Sequence, residues 1–224
     1  MRWHHDLRPE TIAMEEVPAV LPLWQQYAQY LRAWGYSVWV GILNAADYGL
    51  GQARQRAILI ASRTRDVTAP APTHTEHPAD DLFGERLLPW VTMADALGWG
   101  YTQRPAPTVT GGGTETGGAE PWSSTSRRAM REAMANPGHW AWRKPAPTDT
   151  GTVGHVGGKQ AGGHLSLTVQ EGAVLQGFRP DYPFYGNKGQ RSLQVGNAGP
   201  PLLAAHVLSA ATGIPMPAAI PQAA

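Results

Sequence analysis

A hundred residues in the middle of the chain, 64–163, carry no sustained apolar period, whereas the segments on either side of them do. That interruption restricts the available architectures more than any other feature. A hydrophobic core can be drawn only from the two ends, with a differently built region set between them. The interrupting stretch is rich in Pro, Gly, Thr and Trp and includes GGGTETGG and GTVGHVGGKQAGGH. Across 224 residues, Gly 26 and Pro 20 make up roughly a fifth of the chain, so long segments must run as turns and extended backbone. Within 64–163 the pattern supports one helix, at 124–135. RPAPTVTG at 104–111 returns forty positions later as KPAPTDTG at 144–151. A repeated extended Pro-Thr segment followed by glycines can lay amides and hydroxyls against another chain, a phosphodiester included. It serves equally well as a pair of edge strands or linker loops.

The flanks are regular. In residues 1–63, Val20, Leu23, Trp24, Tyr27, Leu31 and Trp34 fall at i, i+3, i+4, i+7, i+11 and i+14, and Gly35 follows. This spacing predicts an amphipathic helix closed by a glycine. SVWVGIL (37–43) and AILIA (57–61) are short, apolar and β-rich, like strands buried on both faces of an α/β sheet, and 12–17 is a third candidate. Strand, helix, strand, loop, strand is the order of a doubly wound sheet with too few strands to close one. In 164–224, Thr168 and Glu171 form a capping box that opens a short helix through Leu175, stopped by Gly177. Asn197 as cap, Pro200 and Pro201 in the first turn, and Gly213 at the end predict a second helix over LLAAHVLSAAT, with a frayed tail beyond it. The expected fold class is α/β, a partial Rossmann-like sheet plus a small loop- and β-rich region. A solenoid, a coiled coil and a collagen are excluded.

Charge is spread unevenly around a net +1. Eight acids stand against Arg86 and Arg104 between 66 and 120, while six cations (Arg127, Arg128, Arg131, Arg143, Lys144, Lys159) stand against Glu132 and Asp149 between 122 and 160. The basic stretch can meet phosphates or form a solvated helix face. The start, MRWHHDLRPE, has no apolar run behind it, and nowhere do eighteen consecutive apolar residues occur, so a cytoplasmic protein with no membrane segment is expected. His4, His5, His74 and His77 have poor spacing for a metal, and none is expected. Cys 0 rules out disulfides, thiolate zinc sites and a cysteine nucleophile supplied by these residues.

Four segments together resemble a known family. LNAADYGLGQARQR holds Gln52, Arg54 and Arg56 in a Gln-x-Arg-x-Arg pattern; LTVQEGAVLQGF, with PDYPFYG after it, holds Thr168, Glu171, Gln176 and Gly177; QVGNAGPPLLA holds Gly196 and Asn197 ahead of Pro200-Pro201; and MEEVPAVLPLW places Glu15 where the family has the Glu of a Glu-Asn-Val motif. These look like the later motifs of DNA cytosine-5 methyltransferases, in their usual order. The resemblance implies an S-adenosylmethionine-dependent methyltransferase fold. It implies three parts: 1–63 as the C-terminal half of the catalytic domain, 64–163 as the target-recognition domain and 164–224 as a return segment packing on the catalytic domain. A complete member would carry a Phe-x-Gly-x-Gly donor loop and a Pro-Cys nucleophile earlier, and this chain is expected to start after both.

By resemblance, Glu15 would hold N3 and the exocyclic amine of a flipped cytosine from a dry site that raises its pKa, and Arg54 and Arg56, on one strand face, would contact the flipped nucleotide and its phosphate. Glu16 stands where an amide is usual, adding a carboxylate beside that site. Asn197 and Ala198 would help close the S-adenosylmethionine pocket. Gln52, Arg104, Thr108, Arg127, Arg128, Arg143, Lys144 and Thr148 would face double-stranded DNA, with Trp90, Trp99, Trp122, Trp140 and Trp142 as core anchors or bracing residues. Glu171 is assigned to scaffold, as the partner of Thr168. The expected function is a fragment or split-enzyme subunit of a cytosine-5 methyltransferase, completed by a second polypeptide that supplies the Cys. A noncatalytic DNA-binding module of the same ancestry and a misassigned start codon are the alternatives. Open sheet edges would make the chain marginally stable or self-associating without a partner.

Overall fold

A computed structural model describes residues 2–78, 87–98, 146–147, 155–156 and 165–216, which fall into two compact units. The first comprises Met1–Gly49, Arg54–Pro89 and Gly199–Pro221, and the second Leu50–Ala53, Trp90–Ala198 and Gln222–Ala224.

The first unit is built on a three-stranded sheet of β1 (Thr11–Glu16), β4 (Gln55–Ser62) and β2 (Ser37–Asn44), in the order β1-β4-β2. β4 runs antiparallel to both neighbours, with Glu15 opposite Ile58 and Val40 opposite Leu59. The parallel pairing implied by a doubly wound order is therefore replaced, among the described strands, by a central strand running against the other two. Helix α2 (Leu21–Ala33) crosses between β1 and β2, and Trp34 and Gly35 end it, Gly35 at φ 86°.

Alternation along β4 decides what each sheet face packs on. Ala57, Leu59 and Ala61 share a core with Ile12, Trp24, Ala28, Leu31 and Tyr36, which is the α2 side. The Trp24 indole N–H also donates to the carbonyl of Ala57 at 3.2 Å. Of the periodic positions of α2, Trp24 and Leu31 are buried, whereas Leu23 is exposed. The other face carries Ile58 and Ile60 and is covered by the last helix, α6 (Pro201–Thr212), through Leu203, Val207 and Ala211. α2, sheet and α6 form three layers. β4 is buried on both faces as expected, but β2 is mostly half-buried. Among the described strands it is an edge, with a strand neighbour on one flank only.

Between β2 and β4 a 3-10 turn (Ala45–Tyr48) reverses the chain, opened by the Asn44 side chain, which accepts from the Ala46 N–H. Gly49 closes it at φ 90°, and a Cβ there would lie 2.7 Å from the His74 ring, so both conformation and space demand glycine. Tyr48 donates to the Pro70 carbonyl at 2.9 Å and its ring lies 4.8 Å from that of His206 on α6. Burial, aided by Asp47, pushes the Tyr48 hydroxyl up to about 12. Burial lowers the pKa of both His74 and His206, and the nearby His74 lowers His206 further. A two-residue parallel pairing, β5 (His74–Thr75) with β6 (Leu88–Pro89), lies in the same unit.

The second unit centres on α4 (Val169–Leu175) and α5 (Lys188–Asn197), whose Val169, Ala173 and Val195 pack with Phe178 and Phe184. The capping box at Thr168 is present: Glu171 accepts from the Thr168 N–H at 2.6 Å and its own N–H donates to the Thr168 hydroxyl at 3.1 Å. Gly177 stops α4 at φ 83°. Asn197 does not cap the last helix: it ends α5, and Pro200 stands at the cap of α6 without a side-chain hydrogen bond. α5 falls where the sequence pattern above places no helix, although Asn187 and Gln190 give it a full capping box. The other pieces are α3 (Met93–Leu97, capped by Thr92), β3 (Gln52–Ala53) paired in parallel with β7 (Ala146–Pro147), and β8 (His155–Val156) paired with β9 (Leu165–Ser166). Six residues at the N-terminus, Arg2–Leu7, form α1. Residues 124–135 lie outside the described residues. No described helix is long and apolar enough to cross a membrane.

Candidate active site

Because Glu15 sits opposite Ile58 in an antiparallel pair, the residue two positions before Ile58 shares its face and lies diagonally across from Glu15. That residue is Arg56. Its Nε stands 2.7 Å from Glu15 Oε1, and its Nη1 donates to the Gln55 carbonyl at 2.8 Å, which fixes the guanidinium plane. The arginine side chain is 10% exposed and the glutamate 41%. The pair is thus a carboxylate at the surface, anchored by a cation rooted in the sheet. The dry setting expected for Glu15 is not found among the described residues. Glu16 is on the opposite parity, and its carboxylate accepts from the Val17 N–H at 3.1 Å.

Glu15 also lines a groove of about 170 Å³ with Ala13, Met14, Ile58, Pro200 and Leu203. Its walls are otherwise apolar, and small-molecule sites run to roughly 300–1,000 Å³. Asn197 is exposed at the end of α5, and the Ala198 carbonyl accepts a 3.4 Å hydrogen bond from Gln176. That groove alone is smaller than a small-molecule site of this kind.

Arg54 and Arg56 do not share a strand. Arg54 falls in the break between β3 and β4, where its carbonyl accepts from the Ala45 N–H at 2.9 Å and its side chain is 1% exposed. Gln52, within β3, is wholly buried, and neither amide atom has a hydrogen-bond partner among the described residues. Neither side chain presents the exposed surface that a direct contact with DNA requires. Arg104, Thr108, Arg127, Arg128, Arg143, Lys144 and Thr148 lie outside the described residues, as do four of the five tryptophans of that zone. Part of the second Pro-Thr segment is described: Ala146–Pro147 pairs with Gln52–Ala53, an edge-type bridge of two residues. No group of three or more potential metal ligands occurs among the described residues.

Three antiparallel strands lie between two helices, with a carboxylate and an arginine meeting on one face, and the chain as a whole superposes on methyltransferases of known structure. A DNA modification methyltransferase encoded within an E. coli prophage superposes with a TM-score of 0.54 at 17% identity, covering 93% of this chain and 70% of that one. The S. pombe Dnmt2 methyltransferase superposes at 0.53 and 15% identity, covering 90% and 64%. The fold is that of the methyltransferases. Residues 1–212 match the C-5 cytosine-specific DNA methylase family, and the chain belongs to it. The Type II methyltransferase M.NaeI of Lentzea aerocolonigenes is 28% identical over 215 residues, covering 88% of this chain and 48% of the relative. M1.HphI of Haemophilus parahaemolyticus is 32% identical over 190 residues, covering 79% and 48%. The chain spans about half the length of the curated relatives it matches. The methyl donor of the family is S-adenosylmethionine.

Proposed function

We propose that this chain is the later part of a DNA cytosine-5 methyltransferase and acts in duplex DNA only when a second polypeptide supplies the donor site and the nucleophile. The observation that carries the reading is the Glu15-Arg56 pair, set on a family-matched sheet in a sequence with no cysteine. Cytosine C5 is a poor nucleophile until a thiolate adds to C6, and a serine or threonine alkoxide is far scarcer near neutral pH. These 224 residues hold no thiol, so in this reading the addition falls to residues outside them.

In this reading the chain's own residues position the base. The Glu15 carboxylate accepts a hydrogen bond from the exocyclic amine of an extruded cytosine, and Arg56 fixes the carboxylate's direction. Arg54 and Gln52 hold the strand start from which Arg56 projects. Residues 64–163 serve as the target-recognition domain and 164–224 as the return segment. The S-adenosylmethionine site is formed chiefly by the partner, with Asn197 and Ala198 contributing an edge.

The test is complementation. The purified chain is expected to bind duplex DNA and transfer no methyl group, and a polypeptide carrying the family's Pro-Cys and glycine-rich donor motifs is expected to restore transfer. Transfer by the chain alone refutes the reading. Salt-sensitive duplex binding that no complementing polypeptide converts into transfer favours a noncatalytic DNA-binding module, the reading that the absent thiol and Glu16 also support.

A further inference from the structure

One face of the second unit has no part in this scheme. Phe178, Tyr182 and Phe184 form a mutual cluster with ring centroids 4.7–5.4 Å apart, and Phe178 and Phe184 root it in the core of α4 and α5. Tyr182 is left 48% exposed and Tyr185 87%. A bare ring on a loose loop would be unremarkable, but Tyr185 is held at both its backbone groups. Its N–H donates to the Gln194 side-chain oxygen at 3.3 Å, and the Gln194 side-chain nitrogen donates to its carbonyl at 2.7 Å. Gln194 lies within α5, so the loop is tied to a helix while its ring stands in solvent.

Two cations follow Tyr185 three and six positions along the chain. Lys188 and Arg191 lie three apart at the start of α5, on one side of the helix, and Arg191 shares a shallow recess with Tyr182 and Phe184. Neither has an ion-pair partner among the described residues. Two acids occur between 171 and 191. Glu171 is buried in the capping box with Thr168, and Asp181 is held by both prongs of Arg179 at 2.9 and 2.6 Å. A fixed aromatic ring close in sequence to two cations that have no ion-pair partner among the described residues matches a strand that carries flat rings and regularly spaced anions. An acidic peptide would satisfy the cations alone.

We propose that Tyr185, Lys188 and Arg191 form a nucleic-acid contact, in which the ring packs on a sugar or base and each cation neutralises one phosphate. The proposal rests on the reading that the chain binds DNA.

Binding of the full chain to a short fluorescent duplex, measured over a series of salt concentrations, tests it. K188Q/R191Q is expected to reduce the slope of log affinity against log salt by about 1.8, the share of two phosphates. Y185A is expected to weaken binding roughly tenfold without changing the slope, with Y185F close to wild type. Removing a cation from the other unit, R2Q, is expected to change neither. An unchanged slope in K188Q/R191Q, an equal effect per charge from R2Q, or wild-type affinity in Y185A overturns the proposal. Polyglutamate that displaces the duplex as well as unlabelled duplex does would also overturn it, since the ring would then have no part. A wild-type chain without salt-sensitive duplex affinity instead sinks the underlying reading.

Discussion

Glu15 and Arg56 meet because an antiparallel register puts residues of like parity on one face; the sequence marks 12–17 and 57–61 as strands but not their pairing or direction. The burial of Arg54 and Gln52 is not marked in the sequence either. It goes with a strand break at Arg54 and the pairing of Gln52–Ala53 with residues 146–147, 94 positions further along, which no local pattern encodes. Glu15→Gln removes the charge but keeps the shape. In the complemented enzyme it should cost activity about a hundredfold or more, the usual worth of a positioned acid or base. Stability should change by about 1 kcal/mol or less, because a half-exposed ion pair is largely screened. Methyl-transfer rates and thermal melts of the same variant check both halves, and a large loss of melting temperature would reassign Glu15 to structure. Gly49→Ala forces a side chain into left-handed backbone and against His74, and should destabilise by about 1–3 kcal/mol in denaturant unfolding.

Helix positions followed their sequence signals where the signal was a capping box or an apolar stripe, as at Thr168 and along Val20 to Trp34. They departed where one residue could serve two helices. The prolines after Asn197 point to it as the opening of the last helix, but the Asn187-Gln190 box starts an earlier helix that Asn197 ends. α6 closes the sheet face opposite α2, so Leu203→Ala should cost about 2–5 kcal/mol in chemical denaturation. A loss below 1 kcal/mol would mean that this helix is not packed there. The same helix bears His206 against Tyr48, near His74. Both imidazoles have folded pKa values below the ordinary 6.5, so the folded chain takes up protons less readily than the unfolded one. Their contribution to stability is complete above about pH 6.5 and is lost as pH falls from there through the folded values. His206→Asn should flatten the decline in melting temperature on the acid side, and an unaltered profile would remove His206 from the cause.

At the scale of the whole molecule, family membership was legible from four motifs in order, because they fall on turns, caps and strand ends whose chemistry is local. The strand directions were not, since antiparallel insertion of β4 depends on which neighbours it finds. Among the described strands, β1 and β2 each have a partner on one side only. On β2, Arg32 donates to the Val38 carbonyl at 3.0 Å. Polypeptide that binds the folded state raises its stability by mass action, so the complementing partner should raise the melting temperature in a concentration-dependent way. The central claim is that the sulfur nucleophile comes from elsewhere. Its most direct measurement is incorporation of labelled methyl from S-adenosylmethionine into duplex cytosine as increasing partner is added to a fixed amount of this chain. A zero rate without partner, rising to saturation at a fixed ratio of the two polypeptides, is the result predicted. Methylcytosine formed at zero partner would contradict it.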